Sequence, residues 1–269
     1  KYEEAGLLFK CSLKTRESIV GPESSEMVAS LNKQAELLEK QGKYKDADSL
    51  YLQAIEIGQR VLGLDHPSVA TILNNRAGLL ETQLLHQALP LNILLPFTQG
   101  KYAEAEPLYE KAQEIFKTVL GVDHPHVATV ENNWARILTN QGKYDEAAPI
   151  YERAQKIFEK HFGEDHLNVA AVLNNRAFLL HKQGKYDAAE PLFRRSLAID
   201  EKVYGTRHPE VATDLHNLGN LFAAQGKYVE ADRTLQRSLK IRENKLGREH
   251  PRVAQSLHGL AELSVAQVS

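Results

Sequence analysis

The sequence predicts an all-α solenoid of antiparallel helix pairs, and three observations carry that prediction. Gly-Lys-Tyr is written five times, at Gly42, Gly100, Gly142, Gly184 and Gly226, and the last four of those glycines are spaced by 42 residues. A second glycine column, Gly21, Gly63, Gly121, Gly163, Gly205 and Gly247, keeps the same phase. Between the columns, apolar residues return at spacings of three and four, as a helix buried along one face requires. A fixed period of this length marks a repeat array, in which each unit buries its apolar face only against its neighbours and leaves an extended surface. Surfaces of that kind bind other molecules.

The elements follow in chain order as one array over 1–269. Residues 1–20 read as a leading helix, and 21–62, 63–120, 121–162, 163–204 and 205–246 as five helix pairs. Residues 247–269 read as a trailing helix, which brings the expected count to about 12. First helices open on His66-Pro67, His124-Pro125, His208-Pro209 and His250-Pro251, since the missing N–H of proline costs nothing at the first helical position. They close on the glycine of Gly-Lys-Tyr, which suits the left-handed residue beyond a helix end. In the fourth pair Val169, Leu173, Ala177 and Leu180 share one face, with Asn174, Asn175 and Phe178 turned toward another. A second helix over 186–203 turns Ala189, Phe193, Ser196 and Leu197 inward and ends at Gly205. Pro191, like Pro107 and Pro149 in its column, falls inside that helix and predicts one lost backbone bond there.

Close packing is written into two small-residue columns. Ala35, Ala77, Ala135, Ala177, Gly219 and Ala261 mark the first helices, and Ala5, Ala47, Ala105, Ala147, Ala189 and Ala231 the second. Facing them are Phe9, Tyr51, Tyr109, Tyr151 and Phe193, with Leu235 in the last pair, whose bulk fills the space between helices. The period breaks once, from Gly42 to Gly100, by 58 residues, which is 42 plus 16. The extra segment, 84–99, carries no charged residue, so it must pack on the array, meet a partner, or be a retained non-native segment. A neutral or non-native loop is preferred to a binding element.

Composition limits the function. Apolar residues at 42%, charged residues at 25% and a formal charge of −2 argue against a mainly electrostatic binder of nucleic acid or membrane. Cys11 is the one cysteine, so no intrachain disulfide framework exists and a reducing, cytoplasmic setting is expected. No signal peptide is present, and the apolar stretch near 84–97 is too short to span a bilayer. Lys1-Tyr2 are the second and third residues of a Gly-Lys-Tyr turn, so the sequence is expected to be an excerpt of a longer protein.

The small-plus-aromatic alternation resembles the tetratricopeptide repeat. The 42-residue length, the Gly-x-Asp-His-Pro-x-Val-Ala-Thr segments at 63–71 and 121–129, the Asn-Asn pair and Gly-Lys-Tyr-x-x-Ala-x-x-Leu-Tyr look like the kinesin light chain type of that repeat. The resemblance covers nearly the whole chain and implies a right-handed superhelix whose first helices line a concave groove. It also implies a protein or peptide partner held as an extended segment in that groove, as an adaptor or scaffold. A sensor array in a larger protein with a nucleotide-switch module, and a structural spacer or oligomerisation scaffold, are the alternative readings.

The polar flank of the first helices then supplies the candidate site. One column reads Asn32, Asn74, Asn132, Asn174, His216 and His258, and the next Lys33, Asn75, Asn133, Asn175, Asn217 and Gly259. Carboxamides offer a donor and an acceptor, so a ladder of them suits the backbone of an extended peptide. The bland reading is that these asparagines bond between helices and set repeat geometry. Asn220 belongs to the same flank, and Lys33, Lys40, Arg136 and Lys182 offer charge for an acidic segment, diluted by Glu36, Glu39, Glu81 and Glu262. Arg76, Glu131, Trp134 and Arg176 break their columns and form a possible hot spot, against a bland reading of packed arginine stems and a Glu131–arginine pair.

Chemistry finds little support. His66, His124, His166, His208 and His250 form a repeat column, expected at helix starts and too far apart to share a metal. Cys11 lacks consistent partners, and no nucleophile elbow, phosphate loop or zinc motif appears. No catalytic residue, metal site or cofactor is expected. His181, His216 and His258 lie where protonation would change binding.

Overall fold

The computed structural model describes residues 18–19, 21–85 and 91–267, and side chains outside 84–100. Among the described residues the chain is helical without strands. Eleven helices follow one another: α1 (Ser25–Lys40), α2 (Tyr44–Leu62), α3 (Pro67–Leu85), α4 (Leu91–Leu120), α5 (Pro125–Asn140), α6 (Tyr144–Phe162), α7 (Leu167–Lys182), α8 (Tyr186–Tyr204), α9 (Pro209–Ala224), α10 (Tyr228–Leu246) and α11 (Pro251–Ala266). The leading helix expected over 1–20, with Ala5, Phe9 and Cys11, lies outside the described residues but for 18–19. Connections within a pair are a few residues long, so the two helices of each pair pack antiparallel.

The histidine column caps helices. Nδ1 of His66, His124, His166, His208 and His250 accepts the backbone N–H two residues on, at 3.1 to 3.3 Å, at the starts of α3, α5, α7, α9 and α11. A side-chain cap of this kind contributes about 1 kcal/mol by satisfying one orphan donor. Two of these rings also stack on the aromatic that closes the preceding helix, His166 on Phe162 at 4.4 Å and His208 on Tyr204 at 4.2 Å.

Four of the five Gly-Lys-Tyr glycines end helices as expected. Gly42, Gly142, Gly184 and Gly226 hold φ between 73° and 80°. The following lysine N–H reaches the carbonyl five residues back, as in Lys185 to Leu180 at 2.9 Å, which closes the helix end. Gly100 departs from this. Residues 91–99 are themselves helical, so Gly100 falls inside α4 and continues the ladder instead of turning it. The uncharged insertion is therefore helical along its second half, with residues 86–90 outside the description. Pro149 and Pro191 sit inside α6 and α8, which run through them, each at the loss of one donor.

Two compact units divide the chain, residues 1–137 and 138–269. In the first, α1 packs on α2, α2 on α3 and α3 on α4; in the second, contacts run in order from α6 to α11. The core of the first unit sets Tyr51 and Tyr109 against Ala35, Ala47, Ala77 and Ala105, all 1% exposed or less. In the second, Phe193 and Leu235 fill the same role beside Ala177, Ala189 and Ala231. Full burial of a side chain as large as Phe193 contributes about 1.5–3 kcal/mol.

Candidate functional site

The asparagine columns form inter-helix bonds with one rule in both units. In the first unit Asn75 on α3 donates from Nδ2 to Oδ1 of Asn32 on α1, and Asn133 on α5 donates to Oδ1 of Asn74, each at 3.1 Å. In the second unit Asn217 on α9 donates to Oδ1 of Asn174 on α7 at 3.0 Å. The later pair's second-column amide thus bonds to the earlier pair's first-column oxygen. Asn32, Asn74 and Asn132 are buried, whereas Asn75, Asn133, Asn174, Asn175 and Asn217 are half-buried at the flank. A buried amide left unpartnered costs about 1–3 kcal/mol, so these bonds fix the register between successive first helices.

His216 takes the first-column place on α9 and is buried, with Nε2 3.2 Å from Nδ2 of Asn220. Burial, and then the Arg242 charge, push its imidazole down to about 4, so the ring is neutral at pH 7. Burial also lowers His181. His258 stays exposed, with Nε2 3.2 Å from Glu262.

The charged residues of the flank already hold partners. Arg136 grips Glu81, which is 2% exposed, with Nε at 3.0 Å and Nη2 at 2.7 Å on its two oxygens. Lys33 pairs with Glu36 at 3.0 Å, and Lys182 stands 5.2 Å over the Phe178 ring. Glu39 accepts from Tyr51 and Thr82, and burial raises its carboxyl above the usual range.

At the column-breaking positions, Arg76 bonds to Asp48 at 2.8 Å and Arg176 reaches Gln155 and Glu152. Glu131 is buried, accepts from Nε2 of Gln113 at 2.8 Å and lies 4.0 Å from Lys117. Trp134 is half-buried against the core of the first unit. The arginine stems and heads therefore engage neighbouring second helices. Sequence reasoning missed the Arg136–Glu81 grip, because Glu81 sits two turns past the asparagines and reads as an exposed helix-end charge. It also missed polar residues in the core of the second unit, Asp214 and Arg242, although their columns read apolar at Val130 and Val172 and at Phe116 and Phe158. Among the described residues no group of three or more His, Cys, Asp or Glu is placed to hold a metal ion. No helix among them is long and apolar enough to cross a membrane.

The chain resembles solved structures along its length. BtubC (BKLC) from P. vanneervenii superposes with a TM-score of 0.67 at 24% identity, over 93% of this chain and 94% of that one. A putative kinesin light chain of P. anserina, built of nearly identical repeats, gives 0.58 at 22% identity, over 83% and 99%. A Rap protein complexed with competence and sporulation factor gives 0.60 at 16% identity, over 95% and 68%. These likenesses establish the fold. No curated protein sequence matches the chain. The tetratricopeptide repeat profile matches at 26–91, 94–160, 126–198, 168–244 and 215–267, which leaves almost no helix outside it. With that profile laid over helix pairs of matching period, the chain belongs to the tetratricopeptide repeat family.

Proposed function

We propose that this chain is a protein-interaction module that holds an extended polypeptide segment along the polar flank of its first helices, as a cytoplasmic adaptor or scaffold of the kinesin light chain type. Binding, and no turnover of substrate, is its activity. The observation that carries the reading is the locked set of second-column carboxamides, Asn75, Asn133 and Asn217. Asn133 and Asn217 each spend one N–H on the preceding first helix, and Asn75 spends both, on Asn32 and Glu36. Each carboxamide is thereby oriented, which lowers the ordering cost of a further bond to a ligand backbone. The fold itself supports this, since tetratricopeptide neighbours include a Rap protein complexed with a factor. In the second unit, Lys182 beside Phe178 suits an acidic side chain, while Glu36, Glu39 and Glu81 leave the first unit no surplus of positive charge.

A panel of acidic and neutral extended peptides titrated against the whole chain tests the proposal. Asn133→Ala and Asn217→Ala together should weaken capture about tenfold at a temperature where helix content matches that of the parent, although the lost register bonds lower the melting midpoint. Lys182→Gln should remove any preference for the acidic peptides. Unchanged affinity in the asparagine variant moves the site off this flank.

A further inference from the structure

Three core columns change character together in the second unit. Earlier pairs stack an alanine (Ala112, Ala154) on a second helix, a valine (Val130, Val172) on the next first helix, and a phenylalanine (Phe116, Phe158) on the second helix again. One repeat later these positions are Ser196, Asp214 and Asp200, and one further they are Ser238, Ser256 and Arg242. Ser196, Asp214, Ser238, Ser256 and Arg242 are all 2% exposed or less.

The last set forms a donor chain. Arg242 Nη1 donates to Ser256 Oγ at 2.9 Å, Ser256 and Ser238 hydroxyls meet at 3.5 Å, and Ser238 donates to the carbonyl of Ala212. The preceding set repeats the geometry with carboxyls. Ser196 Oγ lies 3.0 Å from the carbonyl of Ala170 and 3.2 Å from Oδ1 of Asp214. A serine hydroxyl has one hydrogen. Like Ser238, which gives its hydrogen to Ala212, Ser196 is paired with a backbone carbonyl at the shorter distance. With its hydrogen on Ala170, its contact with Asp214 joins two acceptors unless the carboxyl supplies a proton, as the Ser256 hydroxyl does in the equivalent place, whereas a hydrogen turned to Oδ1 favours the ionised carboxyl. Oδ2 of Asp214 meets no N–H or hydroxyl, and the hydrogen-bond neighbour of that carboxyl on α8 is Asp200, standing where Arg242 stands one repeat on.

We propose that Asp214 is a proton-binding site, held as a neutral carboxylic acid against Asp200 and Ser196, and that it makes the α8–α9 junction a pH-sensitive joint. With the proton bound the junction closes as the Arg242 set does. With the proton lost, two carboxylates face each other across a buried contact and the junction loosens. The charged groups around the pair favour protonation. Glu210 on α9 adds negative charge to both, and Arg252 of α11, which pairs with Glu210 at 3.4 Å, is spent there. Arg242 of α10 is directed to Ser256, Gln255 and the Arg252 carbonyl, and α7 presents the Ala170 carbonyl. His208, the cap of α9, bears on Asp200 and favours its ionised form. Burial first, then the Asp200 charge, holds the Asp214 carboxyl far above the usual carboxylate range, and burial raises Asp200 as well.

Carbon-13 NMR of the aspartate carboxyls in the whole chain reads the site directly, with the Asp214 signal assigned by its loss in Asp214→Asn. Its midpoint is expected at least two pH units above that of an ordinary aspartate; a midpoint in the ordinary range overturns the proposal. Hydrogen exchange tests the joint. Corrected for intrinsic rates, protection in residues 186–224 should fall at least tenfold from pH 6 to pH 9 in the parent and stay constant in Asp214→Ser, which installs the next repeat's residue. The same pH response in both proteins overturns the joint, and should Asp214→Ser not fold, the carboxyl titration of the parent decides.

Discussion

Gly219 measures how closely two helices of a pair approach. A Cβ added there would lie 2.7 Å from Cγ and 2.8 Å from Cδ2 of Leu235, and 3.4 Å from its backbone nitrogen. Leu235 is fully buried, so it has nowhere to retreat. Gly219→Ala should therefore destabilise the protein by about 1–3 kcal/mol despite alanine's better helix propensity, read as a shift in denaturation midpoint. A paired Leu235→Val should recover part of the loss. The column of small residues was legible in the sequence, because alanine and glycine recur at one phase opposite rings. Why glycine stands in this one member was not legible, since it depends on how far Leu235 leans across the gap. The same limit applies to Arg136, which reads as a cation offered to a ligand and which the fold pairs with Glu81 of α3.

At the scale of elements, helix starts and stops were the most legible features, because His-Pro and Gly-Lys-Tyr each satisfy orphan backbone groups locally. Gly100 is the exception, and it separates motif from context. The same tripeptide turns the chain at Gly142 and Gly226, where φ is 80° and 73°, and continues a helix in α4. What decides is the segment before it: elsewhere a first helix ends there, whereas before Gly100 residues 91–99 of the insertion run on into the second helix, information that a local motif does not contain. Substitution should thus act with opposite sign. Gly226→Ala forces a side chain into the left-handed region and should cost about 1–2 kcal/mol, whereas Gly100→Ala fills a helix interior and should add about 0.5–1 kcal/mol. Equal losses at the two positions would mean that Gly100 also turns the chain.

At the scale of the molecule, the second unit concentrates buried ionisable groups that answer pH in opposite directions. Asp214, raised to about 8, binds its proton in the fold before it does in the unfolded chain, so its contribution is present at low pH and is lost as pH rises toward 8. His216, lowered to about 4, resists its proton in the fold, so its contribution is present above about pH 6.5 and is lost as pH falls toward 4. From pH 8 down to 6.5 only Asp214 contributes a slope, and stability of the second unit should rise by up to about 1.4 kcal/mol per pH unit. Below 6.5 the unfolded chain also binds protons at residues 216 and 181, against the proton the fold already holds at Asp214 and, from about pH 6, a further one at Asp200, so the rise slackens there. The expected curve is a rise from pH 8 that slackens below 6.5, read as denaturant-dependent hydrogen exchange of the amides in α8 to α10. Replacing His216 with the asparagine that earlier repeats carry removes an opposing group, so His216→Asn should steepen the rise between pH 6.5 and about 5. A slope below pH 6.5 that this substitution leaves unchanged would show that His216 does not oppose Asp214.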